Sequence, residues 1–351
     1  MIISFLLPEI ARVPVGGHKV VYEYCNKLVE KGHEIHIYYF YGNRFKKKNI
    51  PEFLRKVVIR IYGSYVGPKK WFDLDKKVKL HVIKTEKQIR QTDVLIATGV
   101  ETAKSVANYD GQLTSKFYFV QDYETWTCPE TEVLDTYRLK LKKIVVSKWL
   151  KVLVDKYSEE EAYLISNCID ERIFKVNKEK RLEHSLVFHY RSAQHKGASY
   201  ALEVINRLLK IYPNMVVNVI SPENIIEGLP KNVIWYKGIS PREVAAINNR
   251  SQVFMCTSID EGFGLPGLEA MACGAAVVST EYKGVLEYAV NGENALLSPV
   301  RDVQAMVDNI KRLFEDEDLR KRISENGVKT GKDRSLQKAA GEFEQVLLGE
   351  K

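Results

Sequence analysis

Short apolar runs alternate along the chain with stretches of helical periodicity. Residues 2–7 (IISFLL) form an almost unbroken apolar run, which predicts a buried strand. Gly16–Gly17 follow, then an amphipathic pattern near 17–31 that predicts a helix ended by Gly32. Runs at 34–39, 94–98, 117–120 and 144–147 predict further strands. A second series begins at 185–190 and continues at 216–220, 233–236, 253–258 and 275–280. Strands alternating with crossover helices predict an α/β protein with parallel sheets, here two sheets joined by a hinge near 163–174. Residues 42–90 break the pattern: they are basic and aromatic, and Pro51, Gly63, Gly67 and Pro68 interrupt them. They are expected to be an insertion of helices and a mobile loop, without a strand.

Composition narrows the class. A chain of 351 residues exceeds one ordinary core and predicts two domains. Its 45% hydrophobic and 28% charged residues exclude a disordered or collagenous chain. Apolar runs are broken by Lys, Arg or Glu well short of the ~18 residues of a membrane span. The opening MIISFLLPEI has no basic segment before its apolar run, and Pro8 and Glu9 stop that run early, so a secretory signal is not expected. Cys25, Cys128, Cys168, Cys256 and Cys273 are scattered without a C-x-x-C pair, which predicts neither a zinc site nor a disulfide framework. A reduced, cytoplasmic setting is expected.

The net charge of +8 is unevenly placed. Residues 1–175 hold 30 Lys and Arg against 22 Asp and Glu, whereas the remainder holds 23 of each. The excess gathers at 44–48, at Lys69–Lys70, at Lys76, Lys77 and Lys79, and along 138–143. Such a face suits an anionic membrane surface or nucleic acid, or is simply solvated. No nucleic-acid motif accompanies it, so nucleic acid is not expected as a partner.

The candidate chemistry concentrates at 253–297. Gly262, Gly264 and Gly267 spell G-x-G-x-x-G after a strand, with Glu281 19 residues beyond the first. Alone, this spacing fits a dinucleotide-binding turn and hence a dehydrogenase. The motif lies late in the chain, however, and its helix is short. Glu261 and Glu269 stand eight apart in the same segment. Asp73–Leu74–Asp75 and Asp316–Glu317–Asp318 match D-x-D superficially, but they sit in charged surface stretches, and no metal is expected.

The segment resembles the E-x7-E signature of retaining glycosyltransferases of family four, and further motifs follow in order. HYRSAQHKGASYALEVI (189–205) resembles the family's G-R-x-x-x-x-K-G segment, NCID (167–170) its interdomain N-G-[VI]-D, and VVSKWLK (145–151) its strand-end serine segment. GVLEYAVNGENALL (284–297) is similar to its closing helix and turn, and the GG loop and KGHEIHIYY match near the start. The resemblance implies a GT-B fold of two Rossmann-like domains facing a cleft. The expected divisions are 1–170 on the acceptor side, 171–334 for the nucleotide sugar, and a helix within 335–351 crossing back. It also implies that Arg191 and Lys196 stabilise the leaving diphosphate, with the amides of Phe263, Gly264 and Leu265 helping. Glu261 would bind donor-sugar hydroxyls, Glu269 the ribose hydroxyls, and the loop at Gly17 the donor phosphates or the acceptor. Many relatives carry a His after the strand at 117–120, whereas this chain has Gln121, followed by Asp122 and Glu124. These three are candidate acceptor or sugar contacts, and the Q-D-Y-E segment is similar to some rhamnosyltransferase-like members.

The implied activity is retaining, metal-independent and cofactor-free transfer from a UDP-, GDP- or dTDP-sugar to a glycan or lipid-linked acceptor. The setting would be cell-surface polysaccharide synthesis, with the first domain docked peripherally on the inner membrane face through its basic groups at 44–48, 69–79 and 138–151. The competing readings are a sugar-nucleotide epimerase, a non-enzymatic carbohydrate-binding subunit, and the dehydrogenase.

Overall fold

The protein is described by a computed structural model over residues 1–40, 68 and 71–349. The basic groups at 44–48 and Lys69–Lys70, and most of the irregular 42–90 stretch, lie outside the described residues. Two compact units emerge: Met1–Ser166 together with the residues from Gln337 on, and Asn167–Leu336.

The first unit contains β1 (Ile2–Leu7), α1 (Gly16–Glu30), β2 (Glu34–Phe40), β3 (Lys79–Ile83), β4 (Val94–Ala97) and α2 (Val100–Ala107). It continues with β5 (Ser115–Val120), α3 (Glu130–Tyr137), β6 (Lys142–Val145), α4 (Lys148–Asp155) and β7 (Tyr163–Leu164). Among the described residues its seven strands are all parallel, in the order β3-β2-β1-β4-β5-β6-β7. The central strands are apolar on both faces, as a sheet covered by helices on each side requires; Phe5, Ile96 and Phe119 are wholly buried.

One strand contradicts the expectation for 42–90. KLHVI at 79–83 pairs with β2 in the register His36↔Lys79 and forms the sheet edge. Charged Lys79 and partly buried side chains are usual at an edge, and they hide the apolar run that marks a central strand.

The second unit contains β8 (Ser185–His189), α5 (Ala198–Ile211), β9 (Val216–Ser221), β10 (Val233–Lys237), α6 (Pro241–Arg250) and β11 (Val253–Cys256). It continues with α7 (Leu265–Ala272), β12 (Ala276–Thr280), β13 (Ala295–Ser298), α8 (Val303–Glu315) and α9 (Glu317–Lys332). Its six parallel strands run β10-β9-β8-β11-β12-β13. Leu186, Val217, Met255 and Val278 from the sheet pack with Ile205 and Ile310 from α5 and α8 in one buried cluster. Each such side chain contributes about 1.5–3 kcal/mol on leaving water. Arg181 satisfies three chain-end carbonyls at once: its guanidinium donates to Asn248 O (2.9 Å), Ser251 O (2.6 Å) and Cys273 O (2.5 Å), around the ends of α6 and α7.

The stretch at 284–297, expected as a closing helix and turn, is instead a single 3-10 turn at Val285–Glu287 followed by β13. Asn294 stops the helix. Its side chain accepts from Val290 N–H (2.7 Å) and donates to Tyr288 O (2.8 Å), capturing groups a longer helix would use.

The two passages between units are stitched together inside the second. Ile169 N–H donates to Arg334 O (3.0 Å) and Leu336 N–H to Ile169 O (2.9 Å). The final helix, α10 (Leu336–Leu348), belongs to the core of the first unit. There Phe343 stacks on Tyr24 at 4.4 Å and meets Phe119 edge-on at 5.4 Å.

Candidate active site

In an open parallel sheet, neighbouring strands whose crossovers leave in opposite directions part their loops at the carboxyl ends, and ligands bind there. In the second unit this switch point lies between β8 and β11. The loop after β8 carries Arg191 and Lys196; the loop after β11 carries Glu261 and leads into α7. The G-x-G-x-x-G motif therefore follows the fourth strand of its sheet in chain order, whereas the dehydrogenase reading needs it after the first. Glu281 is an exposed residue just beyond β12, its N–H donating to Ser298 O at 2.9 Å.

The two loops are held together by their backbones. Ile259 N–H donates to His195 O (2.7 Å), and Thr257 Oγ1 donates to Gly197 O (3.0 Å). Gly197 sits at φ +66°, and a Cβ there would lie 2.0 Å from Thr257 O, so glycine is required. This contact sets Lys196 against Glu261: Nζ lies 3.3 Å from Oε2. The other oxygen of Glu261 accepts a hydrogen bond from the Ser258 hydroxyl. Arg191 is drawn out of water on the same loop. Burial lowers its pKa, while the charges of Glu223 and Glu261 act in the opposite sense. Glu223 also accepts from Ser192 N–H at 3.0 Å, fixing the loop between the two cations.

The turn into α7 is shaped by two buried tyrosines. Gly264 has φ +87°, and its absent Cβ would lie 1.9 Å from the Tyr282 hydroxyl oxygen. Tyr288 OH donates to Gly264 O at 2.7 Å. The helix then starts at Leu265 with Pro266 in its first turn. Its free amides and the helix dipole suit an anion such as a phosphate. The Phe263 side chain points away from that role: it is 3% exposed, packs on Tyr288 at 5.3 Å and lies beneath the Arg334 guanidinium. Its side chain is therefore packed away rather than offered to a ligand. Glu269 is buried within α7.

The first unit has its own switch point, between β1 and β4. Gly16 and Gly17 open α1 there, and the side-chain amide of Gln121, from the loop after β5, lies 3.4 Å from where a Gly17 Cβ would stand. Asp122 accepts from the N–H of Tyr123 (2.9 Å), turning one carboxylate oxygen back on its own loop. Glu124 is drawn to the start of α2, where it accepts from Val100 N–H at 2.8 Å. Burial nevertheless pushes its carboxyl up to about 7, with Glu101 adding to the rise. The structure thus pairs Gln121 with Gly17 and sends Glu124 to a different neighbour.

Sequence reasoning missed Ser258, Glu223 and the two tyrosines. Ser258 carried a faint signal, a Ser-x-x-Glu spacing of the kind that lets a hydroxyl meet a carboxylate. Tyr282 and Tyr288 carried none, because their role depends on which glycines they face. The D-x-D candidates take ordinary structural places: Asp316 caps α9 by accepting from Leu319 N–H at 2.9 Å, and Asp75 accepts from Lys77 N–H at 2.8 Å.

Several known proteins are similar to part or all of the chain. The capsular polysaccharide biosynthesis glycosyltransferase CapM of Staphylococcus aureus is 28% identical over 182 residues, 51% of this chain and 46% of that protein. A D-inositol 3-phosphate glycosyltransferase of Corynebacterium urealyticum is 30% identical over 146 residues, 37% of this chain and 34% of its own. An N,N'-diacetylbacillosaminyl-diphospho-undecaprenol alpha-1,3-N-acetylgalactosaminyltransferase of Campylobacter jejuni is 30% identical over 39% of this chain and 37% of its own. The chain therefore spans less than half the length of these curated relatives. Among solved structures, Anabaena HepE in complex with UDP and glucose superposes with a TM-score of 0.76 at 15% identity, covering 99% of this chain and 100% of that one. Staphylococcus aureus TarM gives 0.75 at 12% identity, with 99% of each chain covered. The two parallel-sheet units have the GT-B fold. Residues 169–330, which hold Arg191, Lys196, Glu261 and Glu269, match the family model described as Glycosyl transferases group 1, and this part of the chain is a domain of that kind.

Proposed function

We propose that the protein is a glycosyltransferase that moves a sugar from a nucleoside-diphosphate sugar to a hydroxyl of a glycan or lipid-linked acceptor, with retention and without a metal. The observation that carries this reading is the meeting of Arg191, Lys196, Glu261 and the α7 amide end at one switch point, in a domain of the group 1 kind. Two cations and a helix N-terminus suit the β-phosphate as it takes up charge. In the proposed step, the bond from the anomeric carbon to the phosphate oxygen breaks and the acceptor oxygen bonds to that carbon on the same face. The acceptor proton passes to the departing phosphate oxygen. Glu261 orients the sugar hydroxyls and Glu269 the ribose diol; acceptor-only carboxylates suit such hydroxyls. The loop at Gly17 is proposed to face the donor phosphates or the acceptor, and Gln121, Asp122 and Glu124 to contact the acceptor or the transferred sugar.

The activities of CapM and the Campylobacter enzyme support a place in cell-surface polysaccharide or lipid-linked glycan synthesis. Peripheral docking on an anionic membrane belongs to the same proposal. The described part of the basic face lends it less than the charge count does: Lys143 is buried and donates to Leu139 O (2.6 Å), and Lys151 is paired with Asp155 (2.6 Å) and Glu161 (3.3 Å). Among the described residues, no helix is long and apolar enough to cross a membrane.

A thermal-shift screen of UDP, GDP and dTDP tests the donor class, and one of them is expected to raise the melting temperature. With the matching sugar nucleotide, Lys196→Ala should melt like wild type and lose roughly a hundredfold in turnover. Full activity in Lys196→Ala, or no response to any of the three, refutes the reading. Activity abolished by EDTA and restored by Mn²⁺ refutes its metal-free part. A deoxyhexose such as rhamnose should be included among the donor sugars.

A further inference from the structure

The link between Ser258 and Glu261 has a direction. Ser258 is 3% exposed, on the loop that follows β11. The Cys256 thiol donates to its oxygen at 3.4 Å, and its backbone carbonyl accepts from Thr280 Oγ1 at 2.5 Å. A hydroxyl has one proton to give, and with the thiol donating to the Ser258 oxygen that proton is committed to Glu261. Glu261 is thus gripped from two sides, one oxygen by Ser258 and the other by Lys196.

The grips differ in permanence. Lys196 stands on a flexible four-carbon stem at the site where the proposed diphosphate would arrive, and a doubly charged phosphate competes strongly for an ammonium. Ser258 is short and buried, and it is anchored by β12 through Thr280. We propose that Ser258 is the positioning residue of the transfer site: it keeps Glu261 aimed at the donor sugar when Lys196 leaves that carboxylate for the diphosphate. The proposal rests on the glycosyltransferase reading for what Glu261 does. It does not rest on that reading for where Glu261 is held.

The test uses the full chain and three variants: Ser258→Ala, Ser258→Thr and Glu261→Ala. Ser258→Ala removes one oxygen and is expected to melt within a few degrees of wild type. A crystal structure of Ser258→Ala with inorganic pyrophosphate should show the Glu261 carboxylate moved from its wild-type place. With UDP-glucose, GDP-mannose or dTDP-rhamnose, as the nucleotide screen selects, Ser258→Ala should lose roughly tenfold in kcat while KM for the donor changes less than about twofold. Ser258→Thr, which keeps the hydroxyl, should recover most of kcat. A general loss of packing would instead lower the melting temperature and weaken donor binding together, and Thr would not rescue it.

Glu261 unmoved in Ser258→Ala overturns the proposal whether or not a donor has been found. Wild-type kcat in Ser258→Ala beside an inactive Glu261→Ala also overturns it and leaves the glycosyltransferase reading standing. Full activity in Glu261→Ala, by contrast, removes the transfer role on which both depend.

Discussion

Glu124 lies at the start of α2, where a charged carboxylate would ordinarily be welcome. Burial outweighs the amide of Val100 and pushes the carboxyl up to about 7 from its usual 4.5. The sign of the consequence follows from proton counting. Between about pH 4.5 and about pH 7 the unfolded chain gives up this proton while the folded chain keeps it, so this group's contribution to stability falls as pH rises through that window. Glu124→Gln should remove the slope: its melting temperature relative to wild type is expected to rise between about pH 5 and about pH 8. A constant difference across that range would mean that Glu124 ionises as it would in water. His81 behaves in the opposite sense. Burial, with His36 nearby, lowers its pKa to about 4, so it stays neutral where an exposed imidazole would charge.

Helix α7 owes its starting point to a fit between a glycine and a tyrosine. Gly264→Ala would place a methyl against the Tyr282 hydroxyl in a left-handed backbone, and should cost about 1–3 kcal/mol from the backbone alone. Removing the hydroxyl as well, in Gly264→Ala with Tyr282→Phe, should restore part of the loss, read by chemical denaturation. Strictly additive effects would mean that the two residues do not meet. This element also marks how far the sequence could be read. Central strands such as 2–7 and 216–220 were legible because both faces are buried and each apolar run is broken by a single polar residue, Ser4 or Asn218. β3 was not, since an edge strand keeps charges that erase the run. The cations and carboxylates of the site were legible as spaced motifs. Ser258 and the tyrosines were not, because side chains that support a site are chosen by three-dimensional neighbours rather than by spacing.

In the whole molecule, the second unit is an insertion into the first: the chain leaves near Ser166 and comes back near Gln337. The returning helix supplies a core residue, Phe343, wholly buried among Phe5, Tyr24 and Phe119. Phe343→Ala should cost about 3–5 kcal/mol and lower the first unit's unfolding transition while sparing the second's. Scanning calorimetry resolves this, and a uniform shift of both transitions would show that the units melt as one. The same returning helix bears on synthesis. Domains generally fold as the ribosome releases them, amino-terminal first. Here the first unit must wait for a helix made after the whole of the second, because the pocket for Phe343 stays open until residue 343 has emerged. Throughout translation of the second unit, aromatic rings that end up sealed remain exposed. The growing chain therefore passes through a long stage that chaperones are suited to shelter and proteases to punish.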